Sequence, residues 1–366
     1  MTKATIPFGN KCSFKDHADI VAEQFDLFLD EENEEVYDYD SDPYGCKNLL
    51  YNLSFLQFYE KITNFVIGQD VPLKRLSFDI YQYIKDISQP NKPLPRHIPS
   101  LIAGPSGCGK TEFYRAVQRT LKMYGCMIPV IKVDVTAFTQ SGFQGAEVSE
   151  IAEYITKQNP KSSEAIVFLD EIDKTMIPQS SPIVSDAQKM LTYDLLNMID
   201  GSEYYTKKGM RPIDTSKVLF IGMGAFEEIR KEKDKCNPVG FVPQNAPIKR
   251  NSDITKTMLL QKGVSPQFLG RFGTIINFHE IDPKSFIKLI DKILHDLSKQ
   301  YDVSIQASEK TKLSYKPLLH SPYGVRGLRN AINDQIVDCL MNITGETEST
   351  IILQNLKNIE NTHKRR

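Results

Sequence analysis

The stretch Gly104-Pro-Ser-Gly-Cys-Gly-Lys-Thr111 decides the fold of this chain. It matches G-x-x-x-x-G-K-[ST] at every fixed position. Residues 100–103 before it are predicted to form a short buried strand, and residues 112–121 after it a helix. When a strand, a glycine loop and a helix follow one another, the glycines let backbone N–H groups turn inward around phosphate oxygens. The dipole at the start of the helix further favours the negative charge of the phosphate. The stretch predicts a phosphate-binding loop, against the alternative of a chance glycine-rich turn.

The loop carries two side chains suited to a nucleotide and its metal. We expect Lys110 to pair with the β and γ phosphates and Thr111 to ligate Mg²⁺, so the expected cofactors are ATP and Mg²⁺. The thiol of Cys108 could be modified to block nucleotide, although a small residue that simply fits is the plainer interpretation. The residues of this stretch expected to bind nucleotide are Gly104, Pro105, Ser106, Gly107, Cys108, Gly109, Lys110, Thr111 and Glu112.

The second half of the site follows the apolar run 165–169, which is predicted to be a buried strand. The run ends at Asp170 and Glu171. An acid at the end of a buried parallel strand lies at the carboxyl edge of the sheet, where ligands bind. We expect Asp170 to hold Mg²⁺ through water and Glu171 to orient and deprotonate the attacking water. The alternative is a strand that merely ends in acids.

The composition is that of an ordinary globular protein. The chain has 366 residues, enough for two or more cores, and a formal net charge of −1, which gives no electrostatic case for nucleic acid. No apolar run is long enough to span a bilayer, and the polar start is unlike a signal peptide. The six cysteines form no C-x-x-C pair, so neither a zinc site nor a disulfide framework is indicated. A cytoplasmic location is expected.

Three segments are predicted along the chain. Residues 1–46 are acidic and form either a solvated, partly disordered tail or a docking segment for a basic partner such as an adaptor. Residues 47–280 alternate helices with apolar strands, which implies an α/β domain whose parallel sheet is covered on both faces. Residues 281–366 form a smaller helical domain and a tail.

Apolar spacing predicts the individual elements. Helices are predicted over 47–65, 70–87, 147–156 and 191–199, and strands over 129–133, 218–221 and 275–278. Residues 231–262 are polar, charged and proline-bearing, and are expected to form a long loop. Asp282 and Pro283 are predicted to begin a helix with an apolar stripe from Phe286 to Leu297, and a further helix carries Leu328 to Leu340.

Five further short sequence segments follow one another in a characteristic order along the chain. They are Val66-Ile-Gly-Gln69, Asp214-Thr-Ser-Lys-Val-Leu-Phe-Ile221 with Gly224-Ala-Phe226, Pro266-Gln-Phe-Leu-Gly-Arg271, and Gly324-Val-Arg-Gly-Leu-Arg329. With the two nucleotide motifs, this order resembles the AAA+ ATPases, and within them the ClpX-type protein unfoldases, with HslU next. The resemblance runs from Val66 to Leu340. It implies an AAA+ P-loop domain, a small helical domain after it, and a homo-oligomeric ring, a hexamer.

The resemblance also implies roles for residues around the loop. Val66 and Ile67 would lie on the adenine side of the nucleotide. Arg271 would reach into a neighbouring subunit's site and stabilise charge on the transferred phosphoryl group; the alternative is an ordinary exposed arginine. Arg326 would touch the nucleotide and couple hydrolysis to rotation between the domains; the alternative is a helix-end salt bridge.

Two loops are where the resemblance implies contacts with other proteins. Phe143 and Gln144, between two glycines, fall at the family's pore loop, which grips a threaded polypeptide. Gln144 departs from the family's usual aliphatic residue, and a plain connecting turn is the alternative. Val239, Gly240 and Phe241 resemble the tripeptide that docks on a ClpP-like peptidase, against the alternative of a passive loop.

Two departures from the family's pattern limit what the resemblance implies. Sensor 1 is a polar residue in most AAA+ proteins, whereas the aligned position here is near Gly224, as in ClpX-type proteins. The acidic segment also stands where ClpX proteins carry a zinc-binding domain.

The expected function is an ATP-dependent unfoldase or remodelling ATPase that threads a protein substrate through a ring pore. The alternatives are a non-proteolytic remodeller of one complex and a nucleotide-gated scaffold, and a nucleic-acid motor is disfavoured.

Overall fold

The computed structural model describes residue 42 and residues 44–89, 92–138, 148–158, 162–178, 182–205, 212–230, 253–320, 324–341 and 350–353. The chain divides into two units, Met1–Pro43 and Tyr44–Arg366. All elements below belong to the second unit. None of the helices in the described part is long and apolar enough to cross a bilayer.

The described residues form nine strands. They are β1 (Ser100–Ala103), β2 (Val130–Asp134), β3 (Ala165–Asp170), β4 (Glu203–Tyr204), β5 (Ile213–Asp214), β6 (Val218–Gly224), β7 (Ile275–Asn277), β8 (Ser304–Gln306) and β9 (Thr350–Ile352). Five of them form one parallel sheet in the order β2-β3-β6-β1-β7. β4 and β5 form an antiparallel pair, and β8 and β9 a parallel pair. The carboxyl ends of β1 and β3 therefore lie at one edge of the central sheet, on either side of β6.

The helices with complete bounds number twelve in the described residues. They are α1 (Cys46–Asn52), α2 (Phe55–Phe65), α3 (Asp70–Ile87), α4 (Lys110–Met123), α5 (Ser149–Gln158), α6 (Ile172–Met176), α7 (Pro182–Asp200), α8 (Lys256–Gln261), α9 (Pro266–Arg271), α10 (Pro283–Tyr301), α11 (Glu309–Ser314) and α12 (Gly324–Met341). Residues 227–230 are also helical.

Apolar side chains that alternate along the strands cover both faces of the sheet. On β3, Val167 and Leu169 join a core with α5, α7 and α9, while Ile166 and Phe168 join a second core with α3 and α4. Because successive strand residues point to opposite faces, one strand serves both cores. The α/β fold with a parallel sheet covered by helices is confirmed.

A third core lies in the C-terminal part of the chain. It contains the stripe of α10 from Phe286 to Leu297 and joins it to Leu328 and Ile332 of α12. Asp282 begins α10 as expected, because its Oδ1 accepts hydrogen bonds from the backbone N–H of Lys284 at 2.8 Å and of Ser285 at 3.1 Å. The strand pair β8–β9 in this part was not predicted. The domain boundary near residue 281 stays a prediction.

Two predicted elements were wrong. The helix predicted over 47–65 is divided into α1 and α2, because Ser54 starts a new helix: its Oγ accepts from Gln57 N, while Gln57 Oε1 accepts from Ser54 N at 2.9 Å. The loop predicted over 231–262 contains α8, which begins where Thr255 caps Met258 N. Apolar spacing does not detect such capping. In addition, α7 begins at Pro182 rather than Leu191.

Candidate nucleotide-binding site

The phosphate-binding stretch lies between β1 and α4, and its backbone depends on glycine. Gly107 and Gly109 have φ angles of 78° and 105°, in the left-handed region that other residues rarely adopt. Gly104 N donates to Gly224 O at 3.1 Å, which ties the loop to β6. A Cβ atom at Gly104 would lie 2.6 Å from Cys108 Sγ. The loop is therefore a glycine turn fixed at the carboxyl edge of the sheet.

Lys110 begins α4 and folds back over the loop. Its Nζ donates to Gly104 O at 2.5 Å and to Pro105 O at 3.0 Å. The ammonium group therefore lies within the loop, where it would pair with phosphate after leaving these carbonyls. Thr111 follows in the first turn of α4.

The carboxylate of Asp170 at the end of β3 faces a cation. Its Oδ2 lies 3.2 Å from Lys132 Nζ of β2, and its Oδ1 accepts from Glu171 N at 3.1 Å. Ile166 and Phe168 precede it at alternate positions and belong to the core on the α4 side, so strand alternation places Asp170 on that face as well. The sequence reasoning missed Lys132, although a lysine among the buried residues of β2 was a signal.

Glu171 lies at the start of α6 in a left-handed conformation, with φ 56°. Burial raises the pKa of its carboxyl group, and the nearby negative charges of Asp134, Asp170 and Asp173 raise it further, against a smaller lowering effect of Lys174. The raised pKa makes Glu171 a better proton acceptor than an isolated carboxylate.

Buried Asp173 packs against Gly224, near which sensor 1 is expected. Its Oδ2 accepts from Phe226 N at 3.1 Å, which holds Phe226 at φ 52°. A Cβ atom at Gly224 would lie 2.9 Å from Asp173 Oδ1 and 2.6 Å from Phe226 Cε2. There is no room for a polar side chain at Gly224.

The segment Val66 to Gln69 packs against the loop from another side. Val66 is buried, and a Cβ atom at Gly109 would lie 3.2 Å from its Cγ1; Ile67 is half-buried. Gln69 is also buried, and its Nε2 donates to Cys108 O at 3.2 Å and to His279 O at 2.6 Å. His279 N donates back to Gln69 Oε1 at 3.1 Å. Gln69 thus connects the loop to the segment after β7, a role that the sequence reasoning missed.

The start of α12 closes one side of the site. A Cβ atom at Gly107 would lie 3.0 Å from Gly324 Cα and 2.9 Å from Val325 N, so the two backbones are in direct contact. The residues in this contact also line a cleft, together with Glu280, Ile281 and Leu319. Arg326 is exposed on the first turn of α12, two residues after Gly324.

The side chains of Glu112 and Cys108 are both engaged away from the phosphate position. The carboxylate of Glu112 pairs with Arg115 at 3.2 Å and Arg119 at 3.1 Å, along α4. Cys108 is buried, and burial raises the pKa of its thiol despite the opposing effect of Lys110. A buried thiol with a raised pKa reacts slowly, so modification of Cys108 is disfavoured and the plainer interpretation holds.

Comparison with known proteins agrees with this geometry. Residues 96–275 match the family described as AAA domain (Cdc48 subfamily). The chain is 28% identical over 319 residues to the ATP-dependent Clp protease ATP-binding subunit ClpX 2 of Wolinella succinogenes, covering 79% of this chain and 77% of that protein. It is 24% identical over 336 residues to ClpX of Porphyromonas gingivalis (81% and 80%) and 23% identical over 323 residues to ClpX of Bacteroides fragilis (78% and 76%).

The AAA-domain match over residues 96–275 and the similarity to ClpX subunits over 78–81% of the chain support a ClpX-like AAA+ ATPase. In this AAA+ ATPase residues 104–109 form the loop after β1, Lys110 begins the helix that follows, and Val66 packs on the loop. Asp170 and Glu171 follow β3 at the same carboxyl edge of the sheet, with β6 between β3 and β1. Arg271 contacts none of them: its hydrogen bonds go to Asp200 and to Gln267 O. Phe143, Gln144, Val239, Gly240 and Phe241 lie outside the described residues of the AAA+ chain, as do residues 1–41.

Proposed function

We propose that the protein hydrolyses ATP in its Mg²⁺ complex at residues 104–111 and uses the energy to unfold or remodel protein substrates. The contact between Gly107 and Gly324 carries this proposal. The phosphate-binding loop touches the first turn of α12 directly, and α12 belongs to the third core. A change of nucleotide at the loop would therefore change how α12 packs. Movement of that helix is how hydrolysis would become mechanical work.

The residues of the site fit a divalent cation. Asp170 and Thr111 supply the oxygen donors that Mg²⁺ prefers, and the carboxylate of Asp170 already faces the positive charge of Lys132 at 3.2 Å. Bound by these residues, the cation would neutralise charge on the phosphates. Lys110 would exchange two loop carbonyls for phosphate oxygens, and Glu171, with its raised pKa, would accept the proton of the attacking water. Arg326 would contact the nucleotide from α12.

The names of the relatives support a proposal for the assembly and the partners. ClpX proteins are named ATP-binding subunits of an ATP-dependent protease. We propose a homo-oligomeric ring, a hexamer, in which Arg271 acts on the neighbouring subunit's nucleotide and Phe143 and Gln144 line the pore. Residues 239–241 would dock on a ClpP-like peptidase, and residues 1–46 would bind an adaptor or substrate.

Replacement of Glu171 by Gln tests the ATPase site. This variant should keep ATP binding and assembly and lose steady-state hydrolysis, because the proton acceptor is gone. Glu60→Gln, an exposed change on α2, is the matched control and should hydrolyse ATP normally. Normal turnover in the Glu171→Gln protein would contradict the role of this residue.

The mechanical function needs separate variants. Phe143→Ala should keep ATPase activity and lose unfolding of a tagged fluorescent protein, and undiminished unfolding would refute the pore assignment. Deletion of residues 239–241 should abolish association with a ClpP-like peptidase and spare unfolding. If the unaltered protein binds no such peptidase, the non-proteolytic remodeller becomes the better interpretation.

A further inference from the structure

Arg271, at the end of α9, is held by a carboxylate from another helix. Its Nε lies 2.6 Å from Asp200 Oδ1 and 2.7 Å from Asp200 Oδ2, and its Nη2 lies 2.5 Å from Asp200 Oδ2. The carboxylate thus contacts the guanidinium group along its Nε–Nη2 edge. On the other side, Nη1 donates to Gln267 O at 3.3 Å, which gives the group a second fixed point.

Asp200 is itself fixed in place. It is the last residue of α7, and Leu195 and Ile199 of this helix share a core with Phe268 and Leu269 of α9. Gly201 follows with φ 88°, and a Cβ atom there would lie 2.8 Å from Ser216 Cβ, so the chain passes closely against its neighbour. Arg96, in the segment before β1, also reaches Asp200, with Nη2 at 3.1 Å from Oδ1.

The charges agree with a maintained ion pair. Burial alone would raise the pKa of Asp200, but hydrogen bonds from Arg271 and Arg96 outweigh it and lower the pKa. The hydrogen bond to Asp200 in turn raises the pKa of Arg271. Both partners are therefore charged at neutral pH.

The hydrogen bonds leave part of the arginine free to act elsewhere. A guanidinium group has five N–H donors in a rigid plane. Asp200 occupies the Nε–Nη2 edge, and Gln267 O takes one donor of Nη1, so one N–H of Nη1 and one N–H of Nη2 remain for another partner. About a third of the Arg271 side chain is exposed to solvent. A charge that is held in place before the reaction stabilises a transition state better than one that must first be ordered.

We propose that Asp200 is a positioning residue, which holds Arg271 along one edge so that the opposite edge meets the phosphates of a nucleotide bound to a second copy of this chain. The inference rests on the proposed role of Arg271 between subunits. Asp200 lies 71 positions from Arg271 in the sequence and on a different helix. An unheld arginine would sample many rotamers and would reach the phosphates in few of them.

Steady-state kinetics of Asp200→Asn test the proposal. The change is close to isosteric and removes the charge that holds Arg271. We expect kcat for ATP hydrolysis to fall at least tenfold, with KM and the affinity for a fluorescent ATP analogue within about twofold, because the mutated subunit's own loop is untouched. Asp200→Glu should recover part of the activity. Asp291→Asn, which breaks the Lys312–Asp291 pair between α11 and α10, is the matched control and should be normal.

Mixed assemblies show whether the effect crosses between subunits. Asp200→Asn subunits keep an intact nucleotide site, and Glu171→Gln subunits keep a held Arg271. Assemblies that contain both, isolated with two affinity tags, should hydrolyse ATP well above the sum of the separate variants. Arg271→Ala mixed with Glu171→Gln should behave in the same way.

The outcomes separate the inference from the function on which it rests. If Arg271→Ala alone hydrolyses ATP normally, the role of Arg271 between subunits is wrong. If Arg271→Ala is inactive while Asp200→Asn is normal or faster than the unaltered protein, only the positioning role of Asp200 is wrong. If Asp200→Asn loses nucleotide binding, or fails to complement Glu171→Gln where Arg271→Ala succeeds, Asp200 acts within its own subunit and the proposal is overturned.

Discussion

Replacing Gly224 by alanine tests the packing beneath the nucleotide site. The added Cβ would lie 2.6 Å from Phe226 Cε2, 2.9 Å from Asp173 Oδ1 and 3.0 Å from Asp173 Cβ. Neither neighbour can withdraw freely: both are buried, and Asp173 holds Phe226 N by a hydrogen bond of 3.1 Å. Overpacking of a core costs about 1–3 kcal/mol. Loss of that hydrogen bond would add about 1–3 kcal/mol for an unsatisfied buried group.

We therefore expect Gly224→Ala to lower the free energy of unfolding by at least about 1 kcal/mol, at the lower end of the overpacking range. Thermal unfolding without nucleotide, followed by circular dichroism, measures the effect. The control is Gly270→Ala on α9, where a Cβ atom would meet nothing within 4 Å. That change should leave the midpoint unchanged or raise it, because alanine favours helix by up to about 1 kcal/mol over glycine. Equal midpoints for Gly224→Ala and the unaltered protein would refute the steric argument.

Three further predictions concern single side chains. Lys132→Met removes the cation with which Mg²⁺ would compete for the Asp170 carboxylate. Mg²⁺-dependent binding of a fluorescent ADP should therefore tighten about two- to fivefold, since a partly exposed ion pair is worth about 0.5–1 kcal/mol. Weaker binding of the fluorescent ADP in a Mg²⁺ titration would contradict competition between Lys132 and Mg²⁺. Iodoacetamide at neutral pH should label the partly exposed Cys339 before Cys108, because Cys108 is buried and its thiol pKa is raised. Peptide mass mapping measures the order of labelling, and the reverse order would contradict the burial of Cys108. Asp282→Ala should lower the free energy of unfolding, measured by urea denaturation, by about 0.5–2 kcal/mol, whereas Asp282→Asn should keep most of the cap. Because hydrogen bonds from Ser285 lower the pKa of Asp282, the advantage over alanine should be present above the unfolded pKa of about 3.9 and disappear as pH falls through the folded value.

The sequence was sufficient for elements whose signal is local. The strand, loop and helix around Gly104 follow from one motif, and α3 has the predicted bounds because its apolar spacing ends at clear breaks. The start of α2 and the whole of α8 were missed because a single serine or threonine decides where each helix starts. The pair β8–β9 was missed because each strand has only three residues, and such short strands carry too little pattern to read.

The candidate site was predicted as a set of residues but not as a set of contacts. Motif spacing indicates that Asp170 lies at the sheet edge, yet Lys132 becomes its partner only through the register of β2 against β3. Arg271 and Asp200 lie 71 positions apart, and no local pattern joins them. Contacts of this kind depend on tertiary packing, which a single sequence does not reveal.

The hydrogen bonds of the loop suggest how nucleotide binding would be transmitted. Lys110 Nζ donates to the carbonyls of Gly104 and Pro105, and the carbonyl of Cys108 accepts from Gln69. Transfer of the ammonium group to a phosphate would release the first two carbonyls while Gln69 keeps the third. Gln69 is bonded through the same amide group to the backbone of His279, three residues before the cap of α10. The loop is thus joined to the C-terminal helices by Gln69 at one end of α10 and by Gly324 at the start of α12. A change at the phosphates would therefore act on both helices at once, which would favour movement of the third core as one body.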